Sequence, residues 1–280
     1  MLTLLVTEEF RATSYRFAAL FFWAVIVIIV ALIPFALGIP LLGTIGMFMA
    51  FVVIAGTPLT TFVILMVRYW QTMHGRQAAF THSIPTQPRL LLIAKFLHAT
   101  VVMVVSTVVM FLLALLYFIA NAIATSTPIG ESLSTLWGVF TDRVSQLPTS
   151  VTVVMLIGTT VGFVSTIIIF QATMSIGAQG RFSHMGFGAP VVGFILVYFI
   201  LEIVGNLASF IVPFSLKLDG SSRMPVGIVM QPMLPNFIDS VNSGAPPTVI
   251  GIASMFVTPI FAIVLAIWAI NALKRHLAVK

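Results

Sequence analysis

Long apolar stretches alternate with short polar connections along the whole chain. A helix needs about 20 apolar residues, at a rise of about 1.5 Å each, to cross the hydrocarbon core of a bilayer. Six stretches reach that length, at 17–37, 41–67, 90–119, 151–176, 191–212 and 250–273. The pattern therefore predicts an all-α integral membrane protein in which a single transmembrane domain, residues 1–280, contains six transmembrane helices.

Residues 1–16, which precede the first apolar stretch, have a weaker helical pattern. Leu2, Val6 and Phe10 fall on one helical face, although Glu9 interrupts that face. A short helix lying in the membrane interface fits this composition. A frayed tail is the alternative.

The connection at 68–89 is the most polar segment on its side of the predicted membrane. Residues 72–80 are predicted to form a short helix there. Pro85 and Pro88 would end it, because proline disfavours a helical conformation in the residue before it. A helix held below the membrane would be a surface through which a soluble motor protein acts, and a loop lying against the membrane is the alternative.

Three further connections have distinct compositions. Residues 120–150 contain apolar and polar positions at helical spacing, which predicts a short helix on the outer surface. Residues 177–188 are short, polar and rich in glycine, as in a tight inner turn. Residues 213–247 become apolar again at 224–238, where three prolines interrupt a run too short to span a membrane. This run predicts a re-entrant hairpin in the outer leaflet, since irregular backbone at that depth must be shielded by protein or face water.

Composition excludes several classes of protein. Hydrophobic residues make up 60% of the chain and charged residues 7%, which leaves little material for a soluble domain. The absence of a G-x-x-x-x-G-K-[ST] phosphate loop means that any ATP must be bound by another polypeptide. The sequence has no cysteine, no H-E-x-x-H and no G-x-S-x-G. We therefore expect no catalytic residue, no metal site and no cofactor in this chain.

The formal net charge of +6 reflects topology and does not indicate nucleic-acid binding. If residues 1–16 are placed in the cytoplasm, most of the 13 lysines and arginines fall on the inner side. These inner residues are Arg11, Arg16, Arg68, Arg76, Arg89, Lys95, Arg181, Lys274, Arg275 and Lys280, against Arg143, Lys217 and Arg223 outside. The bias predicts that both termini are cytoplasmic, with some attraction of the inner side to anionic lipid headgroups.

Glu202 is predicted to lie near the middle of the fifth span. A carboxylate within a membrane costs several kcal/mol unless it is paired or protonated. It could form a proton or cation site or contact a cationic substrate. The alternative is a structural role, in which the carboxyl is protonated or hydrogen-bonded to the outer hairpin or to another subunit. A proton relay usually needs several such groups, which disfavours a secondary transporter.

A local motif follows the second span. It reads GRQAAFTHSIP at 75–85 and RLLLIAK at 89–95. With the six-span layout, this segment resembles the membrane subunit of type-2 ABC exporters (ABC-2 permeases), in which a G-x-x-x-x-(F/L)-T-x-(S/T)-(L/I)-P pattern precedes LL-x-x-K. The layout covers nearly the whole chain and the motif about 20 residues of it. Residues 86–88 depart from the family pattern, because Thr-Gln-Pro stands where a small residue and serine are usual.

The resemblance implies one half of a transporter in a bacterial plasma membrane. Two permease chains, identical or paralogous, would form a path for a hydrophobic or amphipathic cargo such as a peptide, an antibiotic or a lipid-like molecule. Each chain would dock a soluble ABC ATPase, present in two copies, which would bind ATP and Mg²⁺. The helix at 72–80 would be the coupling helix, the 177–188 turn a second contact and the 224–238 hairpin an outer gate. The residues expected at the ATPase contact are Met73, Arg76, Gln77, Phe80, His82 and Arg181, and those expected along the substrate path or gate are Glu202, Met230 and Met233.

Two other functions are compatible with the residues alone. One is a secondary transporter or channel that uses Glu202 as its ion or proton site. The other is a membrane scaffold, such as an assembly or sensor subunit, that transports nothing.

Overall fold

The computed structural model describes residues 1–75, 77–83, 86–179, 185–222 and 224–275. Within them the helices are α1 (Leu2–Ala36), α2 (Pro40–Met73), α3 (Ala78–Ser83), α4 (Pro88–Ala124), α5 (Ile129–Ser145), α6 (Thr149–Gly177), α7 (Gly188–Ile211), α8 (Met233–Ser243) and α9 (Ser254–Arg275). The strands are β1 (Ser215–Leu218), β2 (Pro225–Val229) and β3 (Val249–Gly251). In this part of the chain, α1, α2, α4, α6, α7 and α9 are long and apolar enough to cross a membrane. The six predicted apolar helices are confirmed, and the architecture is that of a multi-pass membrane protein.

The chain forms two compact units, residues 1–140 and 141–280. In the first unit, α1, α2 and α4 pack against one another. Because the connections are short, successive helices run antiparallel, so the start of α1, the end of α2 and the start of α4 lie at the same end. The core of this bundle is buried and apolar, and it contains Ile28, Leu32, Ala50, Leu113 and Ala120.

Small residues let α1 and α2 approach closely. A Cβ atom built on Gly46 would lie 2.0 Å from the carbonyl oxygen of Ala31, so only glycine fits at that crossing. Further along the bundle, the hydroxyl of Ser106 donates a 3.0 Å hydrogen bond to Thr61 Oγ1, and both side chains are fully buried. The first unit is thus held by close backbone packing and by a buried polar contact between α2 and α4.

The N-terminal segment does not form a separate helix. Residues from Leu2 onward belong to α1, which is continuous for 35 residues and about 50 Å long at 1.5 Å per residue. This exceeds the hydrocarbon thickness of about 30 Å. The segment expected to form an interfacial helix at 1–16 is therefore the first part of α1. Polar side chains of this segment contact α2 and α4, as described below.

In the second unit, α6, α7 and α9 pack against one another, and a small sheet lies beside one end of them. The sheet is antiparallel, with the order β2-β1-β3. Leu216 pairs with Ile228 on one side and Ile250 on the other. A Cβ atom on Gly251 would lie 1.8 Å from the carbonyl oxygen of Ser209, so β3 crosses directly against α7.

The segment predicted as an apolar re-entrant hairpin has a different local structure. Within 224–238, Pro225–Val229 is strand β2, and from Met233 onward the chain belongs to α8, an amphipathic helix without a buried residue. The Asn236 side chain joins α8 to the sheet, since its Oδ1 accepts from the amides of Thr248 and Val249 (3.0 and 3.2 Å). The beginning of the predicted sixth span also belongs to β3, so α9 starts at Ser254 and not at residue 250. The mainly helical class holds, but it includes this sheet. The helix expected within 120–150 is confirmed as α5.

Candidate functional site

The first candidate site is the connection between α2 and α4. The end of α2 is fixed by two backbone hydrogen bonds of 2.9 Å, which the amides of His74 and Gly75 both donate to the carbonyl of Trp70. The short helix α3 then begins at Ala78 and is six residues long. The helix predicted at 72–80 is therefore displaced, because α2 continues to Met73 and has His74 as its C-cap.

The structure locates only some of the residues expected to contact an ATPase. Gln77 is exposed just before α3. Met73, also expected at this contact, is completely buried, and its side chain belongs to the interior of the first unit. Phe80 and His82 lie on α3, but their side chains are outside the described residues, as are Arg76 and Arg181 in full.

A buried charged cluster lies at the same end of the first unit. It consists of Glu9 on α1, Arg68 and Thr72 on α2, and Lys95 on α4, and we call it the Glu9 cluster. The ammonium group of Lys95 forms an ion pair with Glu9 and donates a 2.8 Å hydrogen bond to Thr72 Oγ1. Arg68 Nε lies 3.8 Å from Glu9 Oε2. One carboxylate thus joins all three long helices beside the ends of the α2–α4 connection.

A second polar contact between α1 and α4 lies next to the Glu9 cluster. The hydroxyl of Thr13 lies 2.9 Å from His98 Nε2, and both residues are buried. The ring of Phe10 meets the His98 ring edge-on, with 4.7 Å between centroids. Helix α1 is therefore attached to α4 by side chains from two successive turns of α1.

Lys95 and His98 lie in the first turns of α4. Long or amphipathic side chains at such positions commonly extend back toward the headgroups. Instead, Lys95 and His98 are 6% and 3% exposed and point into the bundle. A buried ammonium group is tolerated because a carboxylate and a hydroxyl satisfy it. The signal in the sequence was Glu9 itself, the acid that interrupts an otherwise apolar face.

The second candidate site is a cavity of about 480 Å³ within the second unit. It lies among α6, α7 and α9, and its lining is mainly apolar and aromatic. Glu202 contributes a carboxylate, and Asn206 Nδ2 lies 3.4 Å from Glu202 Oε2. Tyr198, Ser254 and Thr258 add further polar atoms to the lining. Glu202, which was expected along a substrate path, thus lines a cavity that the sequence could not reveal.

The two methionines expected at an outer gate lie apart from the cavity beside Glu202. Met230 follows β2 and is 75% exposed. Met233 begins α8, and its sulfur accepts a 3.4 Å hydrogen bond from the amide of Gly251. Neither lines the cavity beside Glu202. The structure therefore brings Met233 to the sheet and does not place these methionines together with Glu202.

Among the described residues, no group of three histidine, aspartate or glutamate side chains could hold a metal ion. Comparisons with models of known protein families, with curated proteins and with solved structures gave no match for this chain.

Proposed function

We propose that this chain is the permease subunit of an ATP-binding-cassette exporter of the ABC-2 type. Two such chains, identical or paralogous, form a path for a hydrophobic or amphipathic cargo across a bacterial plasma membrane. A soluble ATPase in two copies supplies the energy, with both termini of the permease on the cytoplasmic side. The chain itself carries no catalytic residue.

The observation that carries this proposal is the connection between α2 and α4. Its sequence at 75–95 resembles the loop of ABC-2 permeases. It contains a short helix that begins beside the exposed Gln77. The helices on both sides of it, α2 and α4, are tied to each other and to α1 by the Glu9 cluster. A force applied to α3 would therefore move the ends of three long helices together, which is what coupling to a motor protein requires.

ATP binding would act by changing which state of the permease the ATPase contacts best. A ligand or partner shifts a conformational equilibrium only by its difference in affinity for the two states. Contacts at α3, and at the 177–188 turn in the second unit, would carry that difference. The joined helices α1, α2 and α4 would convert that difference in affinity into opening of the transport path on one side of the membrane and closure on the other.

Charge reversal in the loop tests this proposal. In Arg76→Glu, we expect the copurifying ATPase to be lost or its stimulated hydrolysis to fall, while membrane insertion is unchanged. Arg143→Glu is the matched control, because the positive-inside rule places Arg143 on the opposite side of the membrane. The measurement is the amount of ATPase bound to the tagged chain, together with its rate of hydrolysis. Normal stimulated hydrolysis in Arg76→Glu would contradict the role of this loop.

A secondary transporter or channel is the second candidate, and the cavity beside Glu202 is the observation that favours it. The two functions differ in what Glu202→Gln does. In an ABC permease this variant retains stimulated ATP hydrolysis, since Glu202 lies in the cavity and not at the ATPase contact. In a secondary transporter it abolishes gradient-driven flux, measured in proteoliposomes with an imposed proton or sodium gradient.

A further inference from the structure

We propose that the cavity beside Glu202 binds a lipophilic organic cation of single positive charge. That such a molecule is the exported cargo rests on the proposed function, whereas its binding does not. The cavity volume of about 480 Å³ falls within the range of about 300–1,000 Å³ typical of small-molecule sites. The space is large enough for an organic ion and much larger than a metal ion needs.

The charge of the ligand follows from Glu202. Within the described residues, the carboxylates that form ion pairs are those of Glu8 and Glu9, and no lysine, arginine or histidine pairs with Glu202. The described contact of its carboxylate is the neutral amide of Asn206. A carboxylate in an apolar span is unfavourable as an anion unless a proton or a cationic partner neutralises it. A bound cation would supply that partner.

The apolar character of the ligand follows from the other walls. Phe170 and Phe194 stack with their centroids 3.9 Å apart and line the cavity with Tyr198. Aromatic faces attract organic cations and also cover apolar groups. Ile169 and Leu201 complete an apolar lining on α6 and α7. The walls thus favour an ion whose charge is carried on a large apolar body.

Other ligands fit this lining less well. The lining contains no lysine, arginine or histidine, so it offers no positive group to an anion. Calcium takes six to eight oxygen ligands, commonly from several carboxylates, whereas Glu202 is the one carboxylate among the described lining residues. A fully neutral cargo would leave the Glu202 charge unpaired.

Equilibrium dialysis of the full-length chain in phosphatidylcholine nanodiscs tests the proposal. The probe is tetraphenylphosphonium, and tetraphenylborate, which has the same shape and the opposite charge, is its counterpart. Empty nanodiscs correct for partition into lipid. We expect saturable binding of the cation and none of the anion. Since this comparison uses the unaltered chain, it does not depend on the folding of any variant.

Variants then locate the site. Glu202→Gln should weaken tetraphenylphosphonium binding roughly tenfold or more, because it removes the charge and keeps the size. Glu202→Asp should retain most of the affinity. Glu131→Gln on α5, an exposed acid outside the cavity, should bind like the unaltered chain. Equal affinity in Glu202→Gln, equal binding of tetraphenylborate, or no saturable binding at all would each overturn the proposal.

The proposed cation site and the proposed exporter function can be rejected independently of each other. Dialysis needs no ATPase, so Glu202-dependent binding in a chain that has no ATPase partner would keep the site and reject the exporter. An ATPase partner together with Glu202-independent binding would keep the exporter and reject the cationic cargo.

Discussion

At the residue scale, the contacts of Glu9 determine how α1, α2 and α4 are held at one end of the first unit. Its carboxylate pairs with Lys95 and lies 3.8 Å from Arg68 Nε. The Lys95 side chain is 7% exposed and that of Glu9 is 20% exposed. A charge buried to this extent is stable only with its partner. Removing one member of the pair is therefore costly mainly because it leaves the other charge buried and uncompensated.

Removing the carboxylate should therefore destabilise the protein strongly. We expect Glu9→Gln to lower the free energy of unfolding by about 3 kcal/mol, because it leaves the Lys95 ammonium buried without its counterion. The double variant Glu9→Gln/Lys95→Met should cost less than the sum of the single variants, since the Lys95 ammonium is then no longer buried without its counterion. Reversible unfolding in mixed micelles measures all three.

The matched control for this prediction is Glu8→Gln. Glu8 forms an exposed pair with Arg11, at 3.8 Å, in which the side chains are 60% and 81% exposed. Exposed pairs contribute little, so the change should stay within about 0.5 kcal/mol. Equal effects of Glu8→Gln and Glu9→Gln would show that the Glu9 cluster is not a stabilising feature.

At the scale of elements, helix existence was predictable and local connections were not. Six long helices follow from apolar runs that meet the length a bilayer requires. Helix α5 follows from its amphipathic spacing. The position of α3 could not be predicted, because the end of α2 depends on backbone hydrogen bonds around Gly75 and not on the hydrophobic pattern.

The sheet of the second unit was missed for a related reason. Its strands are three to five residues long, and the pairing of β1 with β3 joins residues more than 30 positions apart, such as Leu216 and Ile250. Such short runs cannot be distinguished by periodicity from the apolar segments beside them. The Glu9 cluster shows the same limit, since residue 9 meets residue 95 only after three helices have packed. The cavity beside Glu202 likewise depends on how α6, α7 and α9 pack.

The crossing of α1 and α2 gives a prediction at this scale. In Gly46→Ala, the added Cβ would lie 2.0 Å from the Ala31 carbonyl oxygen, so the helices must separate. We expect a loss of about 1–3 kcal/mol in the free energy of unfolding. Gly56→Ala, in the same helix, places its Cβ in open space and should be neutral or slightly stabilising. If both variants unfold alike, the close approach at Gly46 does not contribute to stability.

At the scale of the whole molecule, the apolar faces of the helices are the dominant surface. In the most apolar part of α7, only 6% of the residues are buried within the chain. Lipid or another protein chain must therefore cover the remainder. The charge pattern predicts an orientation in which the α2–α4 connection is cytoplasmic and α5 is outside.

Cysteine labelling tests that orientation directly. The chain has no cysteine of its own, so a single introduced thiol reports without background. A membrane-impermeant maleimide applied to intact cells should label Thr135→Cys on α5 and leave Gln77→Cys unlabelled. Both should react after the cells are permeabilised. The reverse pattern would place the termini outside and remove the α2–α4 connection from the reach of a cytoplasmic ATPase.

The measurement that tests the central claim most directly is the composition of the complex that this chain forms in its own cells. A tagged copy would be purified in a mild detergent, and its partners identified and counted by mass spectrometry. The account predicts a soluble ATPase with a phosphate loop in near-equal amount to the permease, and two permease chains in each complex. A stable oligomer of this chain without any ATPase would contradict the account and favour a transporter or channel that depends on Glu202.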